Sequence, residues 1–329
     1  MKLKQKQLDR TQRAKNPPDL ATTLDALKQG EHEKMSSTVF YGLSGMTTND
    51  LERFGPVWEM LSPEFRRRVV RRLADVVEAN VELDYRILGL FSLTDSDPGV
   101  REAAIDLLFD DLSPGLLDQL IEMAQWDEST AVRAAAMSAL GRYILAGELG
   151  NLPESETSRA QDIAVSLLTN DAEDVDVRRR ALEAISNCGH EIVDEAISEA
   201  YQSDDPRMRV SSLYAMGRSY DERWNPVVVR ELESPDPEMR YEAARAAGEL
   251  ETRDAVPSLV KMAFGTDAEI QEAAIWSLGE IGGRDSMRAL EAVARKAEEA
   301  GDDDLLEVIE EAIANAALVG EFDRADLDD

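Results

Sequence analysis

Few residues of this chain could carry out catalysis or hold a metal. It contains two histidines, His32 and His190, each followed by a glutamate, and one cysteine, Cys188. A metal site needs several such ligands, and a catalytic site needs a nucleophile or base in a suitable arrangement. The sequence has neither a glycine-rich phosphate-binding loop nor a Gly-x-Ser-x-Gly motif. We therefore predict no catalytic residue, no metal site and no cofactor; whether the protein is an enzyme stays uncertain, and this pattern favours a protein that is not one.

The charge balance points to the class of partner. The chain has 329 residues, of which 67 are acidic and 36 basic, so its formal net charge is −31. A body this acidic repels phosphate backbones, so we predict a protein or peptide partner with a basic surface and no duplex nucleic acid. No segment reaches the roughly 18 uninterrupted apolar residues of a membrane span, and the N-terminus lacks the apolar stretch of a signal peptide. These features predict a cytoplasmic protein that does not bind membranes.

A short pattern recurs along the chain, in which an acidic residue is followed four positions later by a basic or polar one; Arg133 occupies the same column, with the acidic residues Asp127 and Glu128 just before it. The aligned second residues are Arg101, Arg133, Arg178, Arg209, Arg240 and Gln271. Their spacings are 32, 45, 31, 31 and 31 residues, so the long interval implies an insertion of about 14 residues, which we place near 146–157. A fixed period of this size is typical of a stacked solenoid.

Each repeat is predicted to form two helices. Asp97, Asp205 and Asp236 each precede a proline, which suits an N-cap followed by the first helical position. The third position after the aligned residue is always small, which predicts that two helices approach closely there. These small residues are Ala104, Ala136, Ala181, Ser212, Ala243 and Ala274. The chain is therefore predicted to be all-α.

The motif Asp-Pro-x-x-Arg, followed by Ala-Ala and then Leu-Gly, resembles the HEAT repeat, in particular the HEAT-like repeats of phycobilin lyases. Residues 97–104, 132–141 and 236–248 carry it. The resemblance implies a right-handed α-solenoid of about eight HEAT-like helix pairs, with the second helices lining a concave face. It also implies a ladder in which each arginine bonds near the cap of a neighbouring repeat, and Gln271 departs from that ladder. The iron-binding, HEAT-like deoxyhypusine hydroxylase uses several His-Glu pairs, more than this chain has.

The repeat register singles out one face of the second helices as a binding surface. The first, fifth and ninth positions after the aligned residue share a helix face. Along the chain this face becomes rich in Tyr, Trp and Arg, the types enriched at interface hot spots. The predicted binding residues are Arg142, Arg179, Tyr214, Arg218, Tyr241, Arg245 and Trp276. The alternative is that the aromatic residues only cover seams between repeats.

The chain is predicted to have four regions. Residues 1–34 form a basic flexible arm, and residues 35–48 form an apolar, Ser/Gly-rich segment that either caps the first helices or docks on another chain. Residues 49–319 form the solenoid, and residues 320–329 form an acidic tail. The arginine-rich patch Arg66 to Arg72 either binds an anion or nucleic acid or pairs with acidic residues of the protein itself.

Two functions are consistent with these features. The first is an interaction scaffold or adaptor that holds a protein or peptide in the concave groove of an acidic solenoid. The alternative, implied by the resemblance, is a subunit of a bilin-chromophore lyase-like enzyme.

Overall fold

The computed structural model describes residues 17–30, 35–80 and 82–325, and within this part every regular element is a helix. The all-α prediction is confirmed. The α-helices are α1 (Leu20–Gly30), α2 (Ser37–Leu43), α3 (Leu51–Met60), α4 (Pro63–Glu78), α5 (Arg86–Ser92), α6 (Pro98–Leu107), α7 (Pro114–Trp126), α8 (Thr130–Glu148), α9 (Glu154–Leu168), α10 (Val175–Ile185), α11 (Val193–Tyr201), α12 (Pro206–Arg218), α13 (Asn225–Glu231), α14 (Pro237–Glu249), α15 (Val256–Ala263), α16 (Ala268–Ile281), α17 (Gly283–Ala300) and α18 (Asp303–Ala325). Two short 3-10 helices, Glu222–Trp224 and Arg253–Ala255, precede α13 and α15.

The helices form two compact units, unit 1 (Met1–Tyr143) and unit 2 (Ile144–Asp329), and the division falls within α8. In unit 1, α6 packs on α4 and α5. In unit 2, the even-numbered helices α10 to α18 pack side by side in chain order, and each odd-numbered helix from α9 packs on the helix that follows it. This is the stacking of an α-solenoid. The helix pairs from α3–α4 to α17–α18 number eight, as predicted.

The second helices begin where the Asp-Pro pairs predicted. Asp97, Asp205 and Asp236 have extended backbone conformations, and each side chain accepts a hydrogen bond from a backbone amide in the first turn of α6, α12 or α14. Proline occupies the first turn of each helix, where a missing amide proton costs no intrahelical bond. Local capping chemistry therefore sets these helix starts.

Two of the aligned arginines, Arg209 and Arg240, do not make the contacts of the predicted ladder. Arg240 donates from Nη1 to the carbonyl oxygens of Ser234 and Pro235, at 2.8 and 3.1 Å. Arg209 donates in the same way to the carbonyl of Ser203 at 2.7 Å. Both arginines therefore fasten the loop that precedes their own helix, and the prediction that they bond near the cap of a neighbouring repeat is wrong.

Gln271 also bonds to the chain that precedes its own helix. Its Nε2 donates to the carbonyl oxygen of Ala263, the last residue of α15, at 2.8 Å. Arg101 does reach the following repeat: its guanidinium makes two hydrogen bonds, of 2.7 and 2.8 Å, to the carboxylate of Asp127.

Glycines set the closest approach between neighbouring second helices. Gly217, Gly248 and Gly279 lie 31 residues apart inside α12, α14 and α16. A Cβ added at Gly217 would come within 2.9 Å of the Cα of Ala246, and one added at Gly279 within 3.0 Å of the Cα of Ala312. The predicted column of small residues is buried as well, but the glycines permit the backbones themselves to touch.

The predicted insertion lengthens two helices instead of forming a loop. The second helix α8 has 19 residues, compared with 13 in α12 and α14. The first helix α9 has 15 residues, compared with 9 in α11. Only residues 149–153 connect α8 to α9, so most of the extra chain is helical.

The N-terminal boundaries differ from the prediction. Residues 20–30, placed in the basic arm, form α1 and bury Leu24 and Leu27; residues 1–16 and 31–34 lie outside the described residues. In the 35–48 segment, α2 buries Val39 and Leu43 completely. These contacts favour the capping interpretation, because the apolar side chains pack within this chain. At the other end, residues 320–325 belong to α18 and not to a separate tail, and residues 326–329 lie outside the described part.

The arginine-rich patch on α4 pairs with the chain's own groups. Arg66 Nη2 lies 2.8 Å from Asp95 Oδ1, and both side chains are almost fully buried. Arg67 lies 2.7 Å from a carboxylate oxygen of Asp97, and Arg68 donates to a backbone carbonyl at the end of α1. This arrangement supports the interpretation that the patch neutralises internal acidic residues.

Candidate functional site

Six of the seven predicted binding residues lie on four neighbouring helices of unit 2. Arg179 lies on α10, and Trp276 lies on α16. Tyr214 and Arg218 share α12, and Tyr241 and Arg245 share α14. These six residues are called the second-helix face below. The seventh, Arg142, lies in unit 1 and is described separately.

Arg218 links three successive repeats of the second-helix face. Its Nη1 lies 3.1 and 3.3 Å from the two carboxylate oxygens of Glu249 on α14. Its Nε donates to Oδ1 of Asn187, which follows α10, at 3.0 Å. The Arg218 and Glu249 side chains are only 18% and 15% exposed, so this pair is shielded from solvent and is part of the packing between repeats.

Arg245 and Trp276 continue the face onto the next helix. The guanidinium carbon of Arg245 lies 4.1 Å from the centroid of the Trp276 ring, well within the distance of a cation–π contact. Trp276 is half-buried, and the Arg245 side chain keeps 40% of its surface exposed. An arginine and a tryptophan are thus held in contact with each other and remain accessible.

Tyr214 presents its ring at the surface of α12, with 36% exposure. Burial of its remaining surface raises the pKa of the Tyr214 hydroxyl, while the positive charge of Arg218 acts in the opposite direction. The tyrosine therefore stays neutral at physiological pH and offers an aromatic face with a hydroxyl donor.

Tyr241 lines an acidic cleft of about 340 Å³ between α14 and the start of α16. Its apolar walls include Val210 and Ile270. The charged residues that line it are all acidic: Glu238, Glu242, Asp267 and Glu269. The cleft therefore combines apolar walls with unbalanced negative charge.

Glu242 has the most perturbed carboxyl group of this surface. Burial raises its pKa to about 7, and the negative charge of Glu183 adds to the effect. Arg245 and Arg180 lower the pKa but do not offset the burial. Near neutral pH, Glu242 is therefore present in both protonation states, and the charge of the cleft depends on pH.

Arg179 is connected to the rest of the second-helix face only through the carboxylate of Glu183. It lies 2.8 Å from Asp176 and 3.5 Å from Glu183, both on its own helix. Glu183 also accepts a hydrogen bond from the hydroxyl of Ser211 on α12. The positive charge of Arg179 is therefore already neutralised, and Glu183 is the residue that connects α10 to α12 here.

Arg142 has a different environment in unit 1. Its guanidinium carbon lies 4.6 Å from the ring centroid of Phe109, which is 63% exposed. Its Nε and Nη2 are buried and have no hydrogen-bond partner among the described residues. Burial lowers the pKa of the Arg142 guanidinium. These contacts of Arg142 therefore lie within unit 1.

Two residues important to this geometry were not among the predicted site residues. Glu249 occupies the ninth position of the same register, so the sequence held a signal for it. Tyr220 follows α12 outside the helical register; its hydroxyl donates to Glu249 at 3.3 Å, and its ring centroid lies 5.9 Å from the guanidinium carbon of Arg218. Its place could not be read from the repeat, because a residue beyond the helix end follows no helical spacing.

A family model matches part of the chain. The model of HEAT repeats matches residues 225–314, which span α13 to the first half of α18. The second-helix face extends into them through Tyr241, Arg245 and Trp276. The match names HEAT repeats in general, so the resemblance to phycobilin lyases stays a prediction.

Solved structures of similar shape were also found, and no curated protein sequence matches the chain. A structure of YibA from Escherichia coli is 17% identical, with 83% of this chain and 98% of that chain covered and a TM-score of 0.41. Human deoxyhypusine hydroxylase in complex with glycerol is 18% identical, with 80% and 96% covered and a TM-score of 0.36. Importin beta is 14% identical, with 90% and 46% covered and a TM-score of 0.42.

The described residues contain neither a candidate membrane span nor a candidate metal site. None of the helices there is both long enough and apolar enough to span a bilayer. The same residues contain no group of three or more His, Cys, Asp or Glu side chains placed to hold a metal ion.

Proposed function

We propose that this protein is an interaction scaffold and that the second-helix face binds a protein or peptide with a basic surface. The observation that carries the proposal is the contact of Arg245 with the half-buried ring of Trp276 at 4.1 Å, in which 40% of the Arg245 side chain stays exposed. Arginine, tyrosine and tryptophan contribute most to binding energy at interfaces. Here they recur on three adjacent helices, α12, α14 and α16.

The fixed geometry of the face supports binding rather than packing alone. Arg218 is held by Glu249 and Asn187, and Arg245 is held by Trp276, so these side chains lose little conformational freedom when a partner arrives. Side chains that are ordered before binding lower its entropic cost. Buried glycine and alanine columns also pack these helices, so their stacking does not depend on the exposed Arg245 side chain.

The acidic cleft beside Tyr241 supports a basic partner. Four carboxyl groups and two apolar walls would accommodate the methylene stem and the charged end of a lysine or arginine side chain. The net charge of −31 would also attract a basic partner over distances of several ångströms and raise the association rate at low salt.

The test is a Tyr241→Ala, Arg245→Ala double substitution. The matched control is Tyr201→Ala, Arg230→Ala. Arg230 also lies over a tyrosine ring, that of Tyr201, at 5.6 Å. These two residues belong to α13 and α11, outside the second-helix face. Proteins that co-purify with the tagged wild-type chain are identified by mass spectrometry, and their affinity is then measured with purified components. We expect the first variant to lose about tenfold or more in affinity and the control to retain it.

Thermal unfolding of both variants separates a binding defect from misfolding. Wild-type affinity in a folded Tyr241→Ala, Arg245→Ala variant would remove the second-helix face from consideration. The lyase-like alternative has a separate test: mixing the protein with a free bilin and with candidate acceptor proteins would produce a stable change in bilin absorbance only if a chromophore is bound or attached.

A further inference from the structure

Three of the five exposed aromatic rings in the described part of the chain are covered by a cation of the same chain. Seven arginine or lysine side chains lie over aromatic rings in the part that the structure describes. They include the cations over the exposed rings of Phe109, Tyr220 and Phe264. Trp126 is the exception of interest. It is the most exposed aromatic residue there, at 75%, and no cation of the described chain lies over its ring.

Trp126 lies at the end of α7 and lines a cleft of about 440 Å³ in unit 1. Leu93 and Met123 give this cleft an apolar floor. The charged residues that line it are Arg101, Glu122, Asp127 and Glu128. The cleft therefore has three carboxylates and one guanidinium.

The guanidinium group of Arg101 leaves part of the negative charge of the cleft unneutralised. Arg101 makes two hydrogen bonds to Asp127, so these two charges satisfy each other. Glu128 lies 3.6 Å from Arg101 and its side chain is 83% exposed, while Glu122 is exposed and forms no ion pair among the described residues. Negative charge therefore remains beside the open indole ring.

An unused hydrogen-bond acceptor lies in the same cleft. Gln119 lines it, and the buried carbonyl oxygen Oε1 of its side chain accepts no hydrogen bond in the described part of the chain. A buried acceptor without a donor is unfavourable, and such groups are usually satisfied by a ligand, a water or a partner. Turning the Gln119 amide toward the cleft would present this oxygen to a donor from outside.

We infer that the Trp126 cleft binds an arginine side chain of a partner protein. A guanidinium group is planar and stacks on an indole ring, and its five N–H donors could reach both an amide oxygen and a carboxylate. The cleft places the exposed ring of Trp126 beside the carboxylate of Glu122, and a turn of the Gln119 amide adds its oxygen to them. A lysine has the charge but not the flat donor array, so it fits less well.

The probe for this site is a short capped peptide with a single arginine between glycines. Matched peptides carry lysine or citrulline at the same position; citrulline keeps the shape and loses the charge. Binding is followed by the indole N–H signals of the four tryptophans in a ¹⁵N-labelled sample of the full chain. The Trp126 signal is assigned with a Trp126→Phe variant.

We expect the arginine peptide to shift the Trp126 signal in a saturable way, with the citrulline peptide at least about fivefold weaker and the lysine peptide intermediate. Trp126→Ala should weaken binding about threefold or more, measured by calorimetry at low salt. Glu122→Gln with Glu128→Gln should weaken it and reduce its dependence on salt. Met60→Ala is the control, because Met60 is 81% exposed and lies outside the cleft.

Equal binding of the citrulline peptide, wild-type affinity in Trp126→Ala, or no saturable shift of the Trp126 signal would each overturn this proposal. Circular dichroism establishes that the variants are folded. The site is independent of the second-helix face, so the Tyr241→Ala, Arg245→Ala variant should show the wild-type shift at Trp126.

Discussion

The guanidinium group of Arg218 and the carboxylate of Glu249 lie 3.1 Å apart across the junction of two successive repeats. The two residues are 31 positions apart in the sequence, one full repeat. Both side chains are mostly buried, so the attraction between them is screened less than that of a surface pair. This contact shows that one part of the candidate binding surface also contributes to the stacking of the helices.

Replacing Arg218 with alanine should destabilise unit 2. Glu249 would keep a partly buried negative charge and lose its closest partner, which should lower the free energy of unfolding by about 1–3 kcal/mol. Urea denaturation followed by circular dichroism measures the change. Arg288→Ala is the control, because the Arg288–Asp285 pair is exposed and should change stability by less than about 0.5 kcal/mol. Equal effects of the two substitutions would contradict this view of the Arg218–Glu249 pair.

A methyl group at Gly248 should separate α14 from α16. The added Cβ would lie 2.6 Å from Cζ3 of Trp276 and 3.0 Å from the backbone Cα of Ser277. Gly248→Ala should therefore lower the free energy of unfolding by about 1–3 kcal/mol, despite the better helix propensity of alanine. Gly115→Ala is the matched control, because a Cβ there meets no atom within 4 Å and should be neutral or slightly stabilising. Thermal denaturation of the two variants decides between these outcomes.

Glu242 should make the protein less stable as the pH rises from about 4.5 to about 7. Its pKa in the folded protein is about 7, above the ordinary glutamate value of 4.5. Between these values the unfolded chain has lost the proton and the folded chain has kept it, so the free energy of unfolding falls with rising pH. Glu242→Gln should remove this penalty and raise stability by about 1–3 kcal/mol at pH 8, with a smaller effect near pH 5.

Denaturation of wild type and Glu242→Gln at several pH values measures the difference directly. Because burial and Glu183 both raise the pKa, a Glu183→Gln variant should lower the pKa of Glu242, which carboxyl NMR can follow. A stability difference between wild type and Glu242→Gln that does not vary from pH 5 to pH 8 would contradict the raised pKa.

Arg66 should be among the most important charged residues for the stability of unit 1. Arg66 and Asp95 are 7% and 3% exposed, and Asp95 also accepts a hydrogen bond from Nε1 of Trp58 at 2.7 Å. Arg66→Ala would leave Asp95 buried without its counter-charge and should cost about 3–5 kcal/mol. Arg72→Ala, which breaks an exposed pair with Asp75, should cost less than about 1 kcal/mol. Urea denaturation of the two variants, followed by circular dichroism, measures both changes.

Much of the fold was predictable from local chemistry. The 31-residue period, the Asp-Pro starts and the small residues after the aligned position predicted stacked helix pairs, and the structure confirms them. The arginine ladder was not predictable in this way. Whether Arg240 reaches a neighbouring cap or its own preceding loop depends on the path of that loop in space, which the period does not contain.

Part of the candidate binding surface was also predictable from spacing within single helices. Positions four apart on a helix share a face, so Tyr214 with Arg218 and Tyr241 with Arg245 could be grouped from the sequence. Their pairing across helices could not be read from it. Arg142 was grouped with them by register, yet its ring partner is Phe109 in unit 1.

The sequence alone determined the helical class, the repeat length, the helix starts and the net negative charge, because these follow from composition and from residues close together in the chain. The tertiary structure decided which charges are neutralised and which rings stay open. Arg218 meets Glu249, and Arg245 covers Trp276, only because Gly217 and Gly248 let the helices approach closely. The ring of Trp126 stays uncovered, because the packing of α7 brings no cation of the described chain over it. Such contacts join residues far apart in sequence, so they depend on the distances and angles between packed helices.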